Sequence, residues 1–428
     1  MLFLRKIYRY VRCHIIAIHI YFLLIGTVLM LSLVVLQRYI YKHRPYKKCI
    51  IFVPGFTGSQ LFYNGIDNKF YKKGEALLYR NCDNLSISTE LVKDTIKLIK
   101  HSDMFLCDGN GIPADHNVGL LCDKLAADER DRLLNKYGTL CMFKNFINEL
   151  NDKFGLTTAY KNDIIMFNYD WRLDCSYNAR LLIKKIIDYD EVVLIAYSLG
   201  GLVASKAFAI MQREYSLKNI KTYLSVCVPY NGTIKALRGL KTGYMEYGFL
   251  SGILYDTFSI SNIIQKLSRT FPSIYQLLPT NEFFRRNKGF LKDNDNKEMT
   301  YFDMLNYLKD KLNLSTSMIN KAIEFHNSLF IDNKHILDYI NEKYFFVGTG
   351  FTSPSSIQLH NKSTDIVPLK YSEGDNTVDL YHSAVPPISN TKNLKFYKIK
   401  TLHSEIFDNY DFLEKIIYII QQTVMRNQ

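Results

Sequence analysis

The sequence predicts an α/β protein of the α/β-hydrolase type, with a mostly parallel sheet, a helical cap insertion, and an N-terminal transmembrane helix ahead of them. Three observations predict this: a long apolar run near the N-terminus, short apolar strands alternating with helical patterns, and a later stretch of amphipathic helices.

The apolar run spans 15–36 (IIAIHIYFLLIGTVLMLSLVVL), long enough to cross a bilayer as a helix, with His19 as its one strongly polar member. No small-residue cleavage site follows, since the next residues are Gln37, Arg38, Tyr39 and Ile40, so an uncleaved signal anchor is the reading rather than a signal peptide. Residues 1–14 form a basic tail and 37–48 a basic linker. Nine Lys and Arg and no acidic residue precede residue 49, which leaves 45 basic against 41 acidic side chains for the remainder. The formal charge of +13 therefore flanks the membrane segment, and nucleic acid is not an expected partner. The eight cysteines form no CxxC pair and no Cys/His cluster at zinc-ligand spacing, so no metal site is expected. Both flanks of the anchor are basic, which weakens the positive-inside rule as a guide to orientation. Four Asn-x-Ser/Thr triplets, at Asn84, Asn231, Asn313 and Asn361, add a little weight to a lumenal or extracellular catalytic domain.

From 49 to 428 a single α/β domain is expected. Cys49 to Val53 (CIIFV) reads as a buried strand ending in the turn-forming run PGFTG. Strand character recurs at Asp163 to Phe167, Glu191 to Ile195 and Thr222 to Val228, with helices at Cys141 to Phe154 and Tyr177 to Ile187 between them. Short apolar strands separated by helices indicate a parallel sheet covered on both faces. Lys235 to Glu342 carries amphipathic helical stretches without a convincing strand and reads as an inserted cap. Strands return at Tyr344 to Val347 and Leu394 to Lys400, and Asp411 to Val424 closes the chain as a helix.

The sharpest chemical signal is EVVLIAYSLGGLVA, residues 191–204. A strand runs through Ala196 and Tyr197 to Ser198, and Leu199 and Gly200 open a helix, which is the context of a nucleophile elbow in an α/β-hydrolase. Small residues two before and two after the serine are needed because the turn is strained and crowded; Ala196 stands where glycine is usual. A helix N-cap serine is the plainer alternative. A serine hydroxyl needs a base, and the base an orienting acid, in the chain order Ser, acid, His. His360, His382 and His403 follow the return of the sheet. His403, between the last strand and the last helix, is the candidate base, with His382 in reserve. Asp365 and Asp375 both lie in suitable loops, and topology alone does not choose between them. An oxyanion hole would take the Leu199 N–H and a second donor from Pro54 to Gly58, at Thr57 first and Phe56 second.

Taken together, the motifs resemble the lecithin-cholesterol acyltransferase family, which includes lysosomal phospholipase A and phospholipid:diacylglycerol acyltransferase. The matching segments are PGFTGSQL (54–61), NYDWRL (168–173), AYSLGGL (196–202), VPYNGTIKAL (228–237), FPSIYQLLP (271–279), GDNTV (374–378) and LHSEIF (402–407), in family order. The resemblance implies Asp375 as the acid, because the family's triad aspartate sits in Gly-Asp-x-Thr-Val, and leaves Asp365 as runner-up. It supports His403 and Thr57. It further implies a disulfide-closed lid over about 82–107, with Cys82 and Cys107 as the matching cysteines. Tyr230 and Asn231 depart from the family's Trp-Gly, and Ala196 from its glycine.

The implied activity is a serine-dependent lipid acyl-ester hydrolase or O-acyltransferase. It would take an acyl group from a phospholipid and pass it to water or a lipid alcohol, with no cofactor. A neutral-lipid lipase using the same triad, and an inactive hydrolase-fold scaffold, are the alternatives.

Overall fold

The computed structural model describes residues 21, 26–27, 29–32, 46–59, 61–63, 75–76, 101–116, 118–119, 140–154, 163–243, 260–359, 366–389 and 394–425. The chain divides into Met1–Lys47 and Lys48–Gln428. The described part of the expected anchor, at Tyr21, 26–27 and 29–32, is helical; the rest of 15–36 lies outside the described residues. Among the described residues no helix is long and apolar enough to cross a membrane.

The second unit is built on eight strands of four residues or more: β1 (Lys48–Val53), β2 (Asp163–Met166), β3 (Glu191–Tyr197), β4 (Ile220–Val226), β5 (Lys343–Thr349), β6 (Phe351–Leu359), β7 (Ile366–Gly374) and β8 (Lys395–Lys400). Six of them form one sheet in the order β8-β5-β4-β3-β1-β2, with every neighbouring pair parallel. The helices that cover it are α1 (Leu140–Phe154), α2 (Cys175–Ile186), α3 (Leu199–Glu214) and α4 (Tyr410–Met425).

Both faces of the sheet are buried, and the strand period of two assigns the side chains. Cys49, Ile51 and Val53 of β1, with Val192, Leu194 and Ala196 of β3, join the core shared with Leu182 of α2 and Leu202 of α3. Ile50 and Phe52, with Val193, Ile195 and Tyr197, enter the opposite core with Phe143 and Phe146 of α1 and Phe412 and Ile416 of α4. Phe52 sits edge-on to Phe143, Phe146 and Phe407 at centroid distances of 4.8, 5.5 and 5.4 Å. Each such buried side chain stabilises by roughly 1.5–3 kcal/mol. Strands buried on both sides show continuous apolar runs, which is why they are legible in the sequence.

The cap departs from expectation in one respect. Helices at Ile234–Thr242, Ile260–Ser268, Pro272–Gln276, Asn281–Arg286, Tyr301–Asn306 and Thr316–Asn327 are present, but so are two-residue strands at Leu291–Lys292, Glu298–Met299, Phe330–Ile331 and Lys334–His335. The first two join β6 and β7 in a four-stranded second sheet, where Leu291 pairs with Ile357. Two residues are too few to show a period, so tertiary pairing alone creates these strands. The antiparallel β6–β7 pair holds four serines, and its one apolar stretch, Ile366 to Leu369, is interrupted by Pro368, so no long apolar run marks it as strand in the sequence.

Asn231, one of the four Asn-x-Ser/Thr positions, is 1% exposed and holds two carbonyls, so it offers no acceptor surface in the folded protein. Asn84 and Asn361 lie outside the described residues.

Candidate active site

Ser198 ends β3 and begins α3 with φ 51° and ψ −126°, a conformation that L-residues rarely adopt. The backbone fixes it from both sides: its N–H donates to Val226 O (2.9 Å) and its carbonyl accepts from Gly201 N (2.9 Å). Its hydroxyl makes no capping bond to the helix, which removes the N-cap alternative. The small residues around it are explained by contact. A Cβ on Gly200 would lie 2.5 Å from the Pro54 carbonyl oxygen and would also meet that of Val53, while Ala196 is wholly buried between Val53 and Ser225 of the neighbouring strands.

His403 follows β8 and brings its Nε2 to 3.0 Å from Ser198 Oγ. Its Nδ1 lies 2.8 Å from Asp375 Oδ2, and its backbone N–H donates to the Asp375 carbonyl at 2.9 Å. Tyr197 stacks obliquely on the imidazole at 5.1 Å, and its hydroxyl donates to the His403 carbonyl at 2.7 Å. Asp375 is 1% exposed. Its Oδ1 accepts from the N–H groups of Thr377 (2.9 Å) and Val378 (2.7 Å), which leaves Oδ2 to the imidazole. Serine, imidazole and carboxylate thus form one continuous chain across residues up to 205 apart in sequence. Among the described residues, Cys227, Asp375 and His403 are a group with ligand-type atoms within 4.8 Å of one another, but the carboxylate and imidazole are engaged with each other.

His382 is not part of this chain. Its Nδ1 is 2.8 Å from Asp379 Oδ1, in the turn that follows the acid loop. Asp365 and His360 lie outside the described residues.

The turn at Gly55 to Gly58 lies against the nucleophile. Gly58 N donates to Gly55 O at 3.0 Å, and Thr57 has φ 57°. A Cβ on Gly55 would sit 2.8 Å from Ser198 Cβ. Leu199 is the first residue of α3, so its N–H has no acceptor within the helix. Phe56 packs on Trp171 with centroids 4.6 Å apart.

NYDWRL works as scaffold for that turn. Tyr169 OH donates to Pro54 O (2.7 Å), Trp171 Nε1 to Ser59 O (2.9 Å), and Tyr169 N to Ser59 Oγ (3.1 Å). Arg172, wholly buried, is bidentate on Asp170 through Nε (3.0 Å) and Nη2 (2.6 Å) and also donates to Phe105 O and Val118 O.

VPYNGTIKAL buttresses the acid loop, a role the sequence does not disclose. Thr233 Oγ1 donates to Thr377 O (2.7 Å) and Lys235 Nζ to Thr377 Oγ1 (2.9 Å). Asn231 Nδ2 donates to the carbonyls of His382 (2.8 Å) and Val385 (2.9 Å), a link that the family's glycine could not make. In FPSIYQLLP, Gln276 receives Cys175 N (2.9 Å) and donates to Asp174 Oδ1 (3.0 Å), seating the cap on the start of α2.

The expected Cys82–Cys107 lid pair falls only partly within the described residues. Cys107 is a free thiol, while Cys82 lies outside the described residues. The Cys107 backbone is pinned by a bridge to Pro113 and by its N–H to Thr270 Oγ1 at 3.2 Å, with the side chain directed into the core. Burial pushes its thiol up to about 12, partly opposed by the Arg172 charge.

Comparison with known proteins agrees with this geometry. No curated protein sequence matches the chain. A chain in the crystal structure of the Tle4–Tli4 complex has a similar fold: the TM-score is 0.56 at 13% identity, over 89% of this chain and 99% of that one. The family model described as Lecithin:cholesterol acyltransferase matches residues 135–377, more than half of the chain, and its span includes both Ser198 and Asp375. By that match the chain belongs to the lecithin:cholesterol acyltransferase family.

Proposed function

We propose that the protein moves acyl groups of phospholipids through an acyl-enzyme on Ser198, as a phospholipase A or as an O-acyltransferase to a sterol or diacylglycerol. The observation that carries this reading is the Ser198–His403–Asp375 chain, with contacts of 3.0 and 2.8 Å. In the mechanism it supports, Ser198 Oγ attacks the ester carbonyl while His403 Nε2 takes the hydroxyl proton. Asp375 holds Nδ1 and stabilises the imidazolium. The oxyanion is received by Leu199 N–H and by Thr57 or Phe56 N–H, at the turn that lies against Ser198. His403 then protonates the departing lysophospholipid oxygen. Water or a lipid alcohol, deprotonated by His403, releases the acyl group in the second half. No step calls on a cofactor.

The apolar run at 15–36 supports a single-pass anchor at the membrane that holds the substrate, and the Asn-x-Ser/Thr triplets lend a little weight to a lumenal or extracellular catalytic domain. The test uses the full chain in detergent with phosphatidylcholine vesicles containing a sterol or diacylglycerol, beside Ser198→Ala, with lipid products followed by mass spectrometry. Serine-dependent fatty acid and lysophospholipid identify a phospholipase A. Sterol ester or triacylglycerol identifies an acyltransferase. Serine-dependent cleavage of neutral glycerides alone would move the reading to a neutral-lipid lipase. Wild-type product in Ser198→Ala would overturn it.

A further inference from the structure

Beneath the triad lies a group that this mechanism leaves unused. Cys227 is 1% exposed, carries a free thiol, and has φ 49°, in the left-handed region that favours glycine. The segment around it is clamped on three sides. Val226 O receives Ser198 N, Cys227 N donates to Phe346 O at 2.8 Å, and the Val228 side chain fills the space where a Cβ on Gly201 would lie. Cys227 therefore sits between the strand that presents the nucleophile and the strand that leads into the hairpin before the acid. Glycine would suit this backbone better, yet a side chain is kept, and its sulfur lies within 4.8 Å of the ligand-type atoms of both Asp375 and His403.

We propose that Cys227 is a positioning residue of the triad, its thiol donating to the Asp375 carboxylate from below and so holding that carboxylate against His403 Nδ1. The other donors to Asp375 are accounted for. Thr377 and Val378 N–H both go to Oδ1 and the imidazole to Oδ2, so the thiol adds one weak donor on the buried side. The S–H stays protonated because burial and the neighbouring carboxylate raise its pKa well above the ordinary thiol value. Gly348 leaves the carboxylate its room from the β5 side, since a Cβ there would meet Asp375 Cβ and lie 3.1 Å from Oδ2. The titratable groups facing this cluster are Asp375 and His403 themselves and Tyr197, whose ring lies on the imidazole.

The consequence is electrostatic. A thiol that shares the carboxylate's charge weakens its pull on the imidazole, so removing the sulfur changes the pH profile of catalysis. This rests on the acyl-enzyme reading, and the experiment separates the two. kcat/KM for a short soluble ester such as 4-nitrophenyl butyrate is measured with the full chain from pH 4 to 9 for wild type, Cys227→Ala, Cys227→Gly, Cys227→Ser and Ser198→Ala. Cys227→Gly suits the left-handed backbone and guards against a folding failure in Cys227→Ala. The expected result is an acidic limb moved upward by roughly half a pH unit in both, as the loss of one weak hydrogen bond implies, with KM unchanged and the wild-type limb restored in Cys227→Ser. If both sulfur-free variants keep the wild-type limb while Ser198→Ala is dead, Cys227 is packing alone and the inference falls. An active Ser198→Ala removes the triad reading and the inference with it.

Discussion

Arg172 ties Asp170 to the distant Phe105 and Val118 carbonyls through one wholly buried side chain. Truncation in Arg172→Ala removes four side-chain hydrogen bonds, two to Asp170 and one each to the Phe105 and Val118 carbonyls. Asp170, 7% exposed, would keep its Oδ1 bond from the backbone N–H of residue 172, but Oδ2 would lose the guanidinium. A buried carboxylate stripped of its partner costs about 3–5 kcal/mol, and the two carbonyls add to the same loss rather than summing with it. Against a native stability of ~5–15 kcal/mol that is a large fraction. The assay is urea unfolding followed by tryptophan fluorescence: the midpoint should fall with an unchanged slope. The double variant Asp170→Leu with Arg172→Met tests the cause, because removing both charges should cost less than the sum of the two single changes, with a coupling of ~0.5–3 kcal/mol. A loss below about 1 kcal/mol in Arg172→Ala, or strict additivity in the double variant, would refute the reasoning.

Asp375→Asn should lower kcat on the order of 10⁴-fold with KM little changed, because the amide leaves the imidazole in the wrong tautomer; Asp365→Asn should leave kcat at the wild-type value, and the reverse outcome would exchange their roles. Gly200→Ala forces a Cβ against the Val53 and Pro54 carbonyls, so stability should drop by ~1–3 kcal/mol and ester turnover by roughly 10²-fold as the turn bearing Thr57 shifts, both read from unfolding midpoints and kcat. Burial lowers the imidazole pKa values of His335 to about 3 and His326 to about 4, so the folded protein keeps them neutral while the unfolded chain protonates them near 6.5. Their contribution is whole above that pH and is lost as pH falls toward 4, by roughly 1.4 kcal/mol per pH unit for each; His335→Gln should flatten the fall in urea midpoint between pH 7.5 and 5.

The order of the site's parts is legible because each rests on a local pattern. The elbow shows itself at 191–204, where a continuous apolar strand meets a small-residue turn and a helix, and the structure adds the φ of Ser198 and the crowding at Gly200. His403 follows from its place after the last strand. The boundaries of β3 and β4 differ from the expected ones by about two residues, which leaves the chemistry in place. The choice between Asp365 and Asp375 is beyond the residues alone, and the family motif points to the one whose Oδ2 meets His403. The β6–β7 pair that delivers it is broken up by serines and by Pro354 and Pro368, and so does not announce itself as strand.

What the sequence determined by itself is whatever repeats at short range: the apolar run at 15–36, the two-sided burial of the parallel strands, and the elbow around Ser198. Those features depend on local sterics and on the periods of helix and strand. Only the tertiary structure decided that Cys227 lies under Asp375, that Arg172 is sealed between two distant carbonyls, and that Asn231 holds the loop after the acid. Each of these joins groups far apart in the chain. Such contacts are set by how whole layers pack, and no local period encodes them.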